Sequence, residues 1–142
     1  MRCFIFLFFY LLILASKGNC QNLMLEITGL KTHEGVIVLT FYTHPESYAK
    51  EIPDRTQILE KDNITGGKLR VTLSGLEPGR YAIALIDDTN RNGRLDYRFF
   101  VPSEGFAFSN LEFRHFRKPD FDSFCFDLGN DDLAVVLPVH YF

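Results

Sequence analysis

A sandwich of two antiparallel β-sheets, built from about seven short strands, is the fold that this chain of 142 residues predicts. Three observations carry the expectation. Beyond residue 20 the apolar residues recur mostly at every second position. Glycine, proline, asparagine and aspartate fall between these runs, and no segment sustains the 3.6-residue period of a long helix.

The N-terminus stands outside that pattern. Arg2 precedes an apolar run of 13 residues, Cys3 to Ala15, which Ser16, Lys17 and Gly18 end. A helix crossing the hydrocarbon of a bilayer needs about 20 apolar residues. The run is therefore read as a cleaved secretory signal, with Gly18 and Cys20 at the small positions before the cut and Gln21 as the new N-terminus. Lipid attachment at Cys20 is the lesser alternative, because Asn19 suits such a signal poorly; an uncleaved anchor is the third. The expected location is extracytoplasmic, periplasmic or secreted. Residues 21–142 then form one domain, since 122 residues are too few for two well-buried cores.

Loss of Arg2 and Lys17 changes the formal charge from −3 to −5, with 13 basic residues against 18 acidic. That balance argues against nucleic acid and against a membrane surface as partners, and no insertion into the membrane is expected after cleavage. Cys125 alone remains, so no disulfide framework is available.

The strands follow in order. Leu23, Leu25 and Ile27 alternate with Met24, Glu26 and Thr28 up to Gly29, which predicts a strand with one face on the core. Residues 36–42 are apolar on both faces and read as a central strand, ended by His44 and Pro45. Residues 46–54 form a connection with room for one helical turn, and Ile58 and Leu59 mark a short edge strand before a turn-rich loop over 62–67. Leu69, Val71 and Leu73, and then Tyr81, Ile83 and Leu85, define two strands about Pro78 and Gly79; that turn predicts an antiparallel pair of neighbours. Phe124 and Phe126 alternate with Cys125 and Asp127. Gly129 and Asn130 then lead into a closing strand from Leu133.

The chemically unusual stretch is Asp87 to Asp96, which holds three carboxylates and two carboxamides. With Asp88 as position one, Asn90, Asn92, Gly93 and Asp96 fall at three, five, six and nine. This is the first half of a calcium loop, in which oxygen side chains at alternate positions turn inward and glycine permits the bend. The candidate metal ligands are Asp88, Asn90, Asn92 and Asp96, with Glu104 as a further contributor, and the implied cofactor is Ca2+. Cysteine and histidine are absent nearby, which disfavours zinc. Position twelve is Phe99 rather than the expected glutamate. A second reading stands beside the first: Asn92-Gly93 is a strong hairpin signal, with Asp88 and Asp96 capping turns or pairing with Arg91 and Arg94.

Other candidates weigh less. His33, His44, His115 and His140 are scattered, Ser109 lacks a nucleophile setting, and Cys125 reads as a buried structural thiol. Nine of the eleven phenylalanines beyond residue 20 lie between Phe99 and Phe126, and they read mainly as core. Arg114, Arg117 and Lys118 read as a solvated loop face.

The ordered runs Leu76-Glu77-Pro78-Gly79-Arg80-Tyr81, Asp88 to Asp96, Pro102-Ser103-Glu104-Gly105-Phe106 and Phe108-Ser109-Asn110 resemble the bacterial domain of unknown function 2141 family. The resemblance covers the chain from about residue 22 to the end. It implies an exported bacterial β-sandwich and no established activity. Three departures stand out: Asp87 occupies the place of a histidine, Phe100-Val101 that of a glycine, and Ala107 that of another glycine. The turn at 76–81 is also similar to that of transthyretin-like modules, an immunoglobulin-like sandwich class of accessory and binding domains.

Three functions follow as expectations. The first is a non-catalytic exported module that binds a protein or small-molecule ligand at its loop end. The second is a carrier with a small apolar ligand in the phenylalanine-rich interior. The third, and least favoured, is a hydrolase using Asp87, Asp88, Asp96 or Glu104 as acid and base.

Overall fold

A computed structural model describes residues 21–114 and 117–142. The signal-peptide expectation for residues 1–20 lies outside them, as do His115 and Phe116. Within them the chain is all-β, with ten strands and one short α-helix. The first strands are β1 (Asn22–Thr28), β2 (Val36–Tyr42), β3 (Arg55–Glu60), β4 (Leu69–Ser74) and β5 (Gly79–Asp88). Next come β6 (Tyr97–Arg98), β7 (Val101–Pro102) and β8 (Gly105–Phe108), and last β9 (Cys125–Leu128) and β10 (Leu133–Pro138). Helix α1 (Pro45–Ala49) is the single turn anticipated after β2; Pro45 presets its first turn, and Tyr48 is its buried residue.

One sheet has the order β10-β1-β4 and a second the order β3-β2-β5-β8, with β9 also on β5; β6 and β7 form a separate ribbon. Strand β8 pairs with residues 84–87 of β5 and β9 with residues 79–82, so the two share one edge in succession. As expected, β2 is central and β3 lies at an edge.

Leu23, Leu25 and Ile27 of β1 and Leu137 of β10 join Ile37, Leu39 and Phe41 of β2 and Ile83 and Leu85 of β5 in one buried cluster. A second cluster centres on Phe124, whose ring meets Tyr48 edge-on at 5.1 Å and Phe108 at 5.0 Å. Each such ring removes a large apolar area from water, which pins the long connection after β8, where Phe121–Ser123 form a 3-10 turn.

Four expectations are corrected. Strands β4 and β5 are not neighbours: β4 pairs with β1 and β5 with β2, and Gly75, at φ +75°, helps carry the chain between sheets. All six residues expected on the core side do reach one cluster, because alternation sets the face of a strand and not whether two strands meet edge to edge or across the core. The antiparallel rule is broken by β1 and β10, which pair in parallel from Leu23↔Leu133 to Thr28↔Pro138. No short turn joins these two strands, so nothing local imposes an antiparallel sense. Among the phenylalanines, Phe106, Phe121 and Phe124 are buried, whereas Phe99 and Phe100 are 85% and 99% exposed. Cys125 is only half-buried; its Sγ lies 3.0 Å from Arg80 Nε.

Candidate functional site

Strand β5 ends on two carboxylates, Asp87 and Asp88, that are both buried. Such groups need partners, since an unpaired buried charge is costly. Asp88 finds them in its own loop: Oδ1 accepts the backbone N–H of Asn92 at 3.1 Å and Oδ2 that of Gly93 at 2.7 Å. Asn90 Oδ1 accepts from Asn92 N, and Asn92 Oδ1 from Arg94 N. The side-chain amides of Asn90 and Asn92 both donate to Asp96 Oδ2, at 2.6 and 2.8 Å. These two bonds hold the Asp96 carboxyl below the usual carboxylate range.

Glu104, buried, spans the base of the loop. Its Oε1 accepts from the N–H and hydroxyl of Thr89, and its Oε2 accepts from Asp96 N at 3.2 Å. All five candidate ligands therefore belong to one hydrogen-bonded network. Residues 92–93 are not the tip of a hairpin, because β5 ends at Asp88 and β6 begins at Tyr97; Gly93 supplies φ +77° inside a loop instead. Arg91 does not neutralise the loop's acids by ion pairing but reaches Glu60 at 2.9 Å and the Gly35 carbonyl at 3.2 Å.

The donor set is all oxygen, which suits a hard cation. Both Asn amides turn N–H groups toward Asp96, and turning their oxygens there instead would give up the bonds from Asn92 N and Arg94 N. Among the described residues no three histidine, cysteine, aspartate or glutamate side chains converge as a metal site. Asp88 and Glu104 are each tied to backbone N–H groups, an arrangement that shapes a loop rather than a pair of free acid–base groups. Two of the histidines are occupied locally: His44 bonds Thr43, and the His140 ring packs on Phe113 and Phe142. A surface groove of about 930 Å³ bordered by Leu111, Phe113, Glu112, Arg114, Lys118 and Asp120 has a rim of mixed charge and is open, unlike the enclosed apolar interior that a carrier needs.

Sequence reasoning missed two features. Beneath the loop, Asp87 contacts Lys61 Nζ through Oδ1 and accepts from the Tyr141 hydroxyl through Oδ2; Lys61 is 3% exposed and Asp87 is fully buried. Burial, reinforced by the Asp87 hydrogen bond, pushes the Tyr141 phenol up. Gly105 makes room for this contact, since a Cβ there would lie 2.5 Å from the Tyr141 ring. A lysine directly after an edge strand carries no sequence signal of burial. Beyond the loop, Phe99 and Phe100 form the two-residue turn between β6 and β7, at φ +50° and +66°. Bulky side chains seldom occupy that left-handed region, where asparagine and glycine are usual.

Among the described residues no helix is long and apolar enough to cross a membrane. Neither the curated proteins nor the solved structures gave a match. The profile of a family described as "Uncharacterized protein conserved in bacteria (DUF2141)" matches residues 25–135, which include strands β2 to β9 in full, parts of β1 and β10, the Asp88–Asp96 loop and Glu104. The chain belongs to that bacterial family.

Proposed function

We propose that this chain is an exported, non-catalytic module whose two main sheets form an immunoglobulin-like or transthyretin-like sandwich. It binds a protein or small-molecule partner through the end that carries residues 88–104, and Ca2+ organises that end. The observation that carries the reading is the Phe99–Phe100 tip. Two exposed rings on a left-handed turn cost stability in the free protein, where Phe100 is 99% exposed and Phe99 has the Arg98 guanidinium 5.8 Å from its ring centroid. Strain and exposed aromatic surface of this kind are what a binding contact uses. The adjoining network of Asp88, Asn90, Asn92, Asp96 and Glu104 supports the calcium part, because its all-oxygen donor set lies in one hydrogen-bonded loop that a cation would rearrange.

The test is site-specific photo-crosslinking of the full chain in a producing bacterium. A photoreactive phenylalanine analogue at position 100 should give a discrete adduct, whereas the same group at Ile58, exposed on β3, should not. Equal labelling from both positions, or none from position 100, would remove the proposal.

A further inference from the structure

The geometry points to a covalent cross-link: we propose that Lys61 and Asp87 condense to an intramolecular amide that joins the end of β3 to β5. This inference is independent of the binding role.

The site is closed to solvent, with the two side chains 1% and 0% exposed. Asp87 Oδ1 is buried, and Lys61 Nζ is its partner. Oδ2, by contrast, accepts from the Tyr141 hydroxyl. Nζ has Glu34 O at 2.6 Å and the more distant Thr32 O at 3.4 Å. The surroundings also suit the product. An amide has one N–H, which Glu34 O accepts, and one carbonyl oxygen, to which Tyr141 donates. Oδ1, which faces Nζ itself, is the atom that leaves.

The step balances without any co-reactant. A proton passes from the ammonium to the carboxylate, giving a neutral pair that costs less to hold in a dry interior than two separated charges. The Nζ lone pair attacks Cγ while the Tyr141 hydroxyl steadies the charge that gathers on Oδ2. The Cγ–Oδ1 bond breaks, and Oδ1 departs as water with two of the three protons first held by Nζ. The third stays as the amide N–H. Holding amine and acid in contact supplies the proximity that such a condensation requires, and loss of water from a closed site favours the product.

The experiment is accurate mass and peptide mapping of the full chain after expression and purification. The protein should be lighter by one water than the sequence of its processed form, and trypsin should fail to cut after Lys61. Residues 56–68 should then be recovered joined to residues 81–91. Asp87→Asn should form the same link with loss of ammonia instead of water, and Lys61→Arg should form none. Cyclisation of an N-terminal Gln21 also sheds ammonia, but peptide mapping places it at residue 21 rather than between 61 and 87. Full sequence mass in the parent protein, with the Lys61 and Asp87 peptides recovered separately, would overturn the proposal without reference to any variant.

Discussion

Gly35 and Gly66 both have positive φ, +76° and +58°, yet alanine should affect them very differently. Placing an L-residue in the left-handed region costs about 1–2 kcal/mol at either position. At Gly66 nothing lies within 4 Å of the added carbon, so that is the whole effect. At Gly35 the new Cβ would lie 2.0 Å from the Asp88 carbonyl oxygen and 2.5 Å from Thr89 Cα. Both are backbone atoms, which no rotamer change can clear. The end of β5 must then move by more than about 1 Å, which adds roughly 1–3 kcal/mol of overpacking. The sum for Gly35→Ala is about 2–5 kcal/mol, and for a domain of this size each kcal/mol lowers Tm by about 4 °C. Thermal melts should therefore show Gly66→Ala about 4–8 °C and Gly35→Ala about 8–20 °C below the parent. Equal losses would mean that the segment before β2 does not rest on the base of the loop, and the account of the site would lose its floor.

Three further outcomes are expected. Millimolar calcium should raise Tm over chelator, by about 1.4 kcal/mol of stabilisation at ten times Kd, and Asp88→Ala and Asp96→Ala should each abolish the difference; equal Tm in the parent would leave the loop as a self-bonded structure. Replacing Phe99 and Phe100 together by Asn and Gly should raise Tm, since relieving two left-handed bulky residues returns about 2–4 kcal/mol, and an unchanged or lower Tm would show that the turn is not strained. Asp54 accepts from Thr43 N, Thr43 Oγ1 and Ser47 Oγ, which hold its carboxyl below the ordinary 3.8. Because its folded value is depressed, the stability it contributes is present above pH 3.8 and lost as the pH falls through the folded value. Asp54→Asn should therefore lower Tm at neutral pH, with a gap that closes in acid; a gap independent of pH would count against this role.

Most of the strand positions were legible because side chains on a half-buried strand repeat every two residues. Asn22–Thr28 and Val36–Tyr42 emerge to within a residue, with their faces, and the edge position of β3 follows from its two isolated apolar residues. Pairing was less legible. Pro78-Gly79 has the composition of a hairpin turn, but the partners of β4 and β5 are chosen by which edges β1 and β2 leave open, and that information is distant in sequence. At the site, the spacing of Asp88, Asn90, Asn92 and Asp96 was sufficient to bring them together, since each bonds within eight residues of itself. Lys61 and Tyr141 come from 26 and 54 residues away and meet Asp87 only through the fold. Phe99 and Phe100 misled for a different reason: aromatic residues usually signal burial, and backbone conformation at a turn tip is not written in hydropathy.

The parallel pairing of β1 with β10 sets how the protein bears a load. The chain enters β1 at one end of the pair and leaves β10 at the other, so a pull on residues 22 and 138 runs along the strands in opposite directions. The hydrogen bonds between them lie across that direction and resist together, instead of opening one after another as in an unzipping hairpin. Six residue pairs, from Leu23↔Leu133 to Thr28↔Pro138, form this shear clamp. A module tethered by its two ends would therefore yield in one abrupt step, at a force set by the whole clamp.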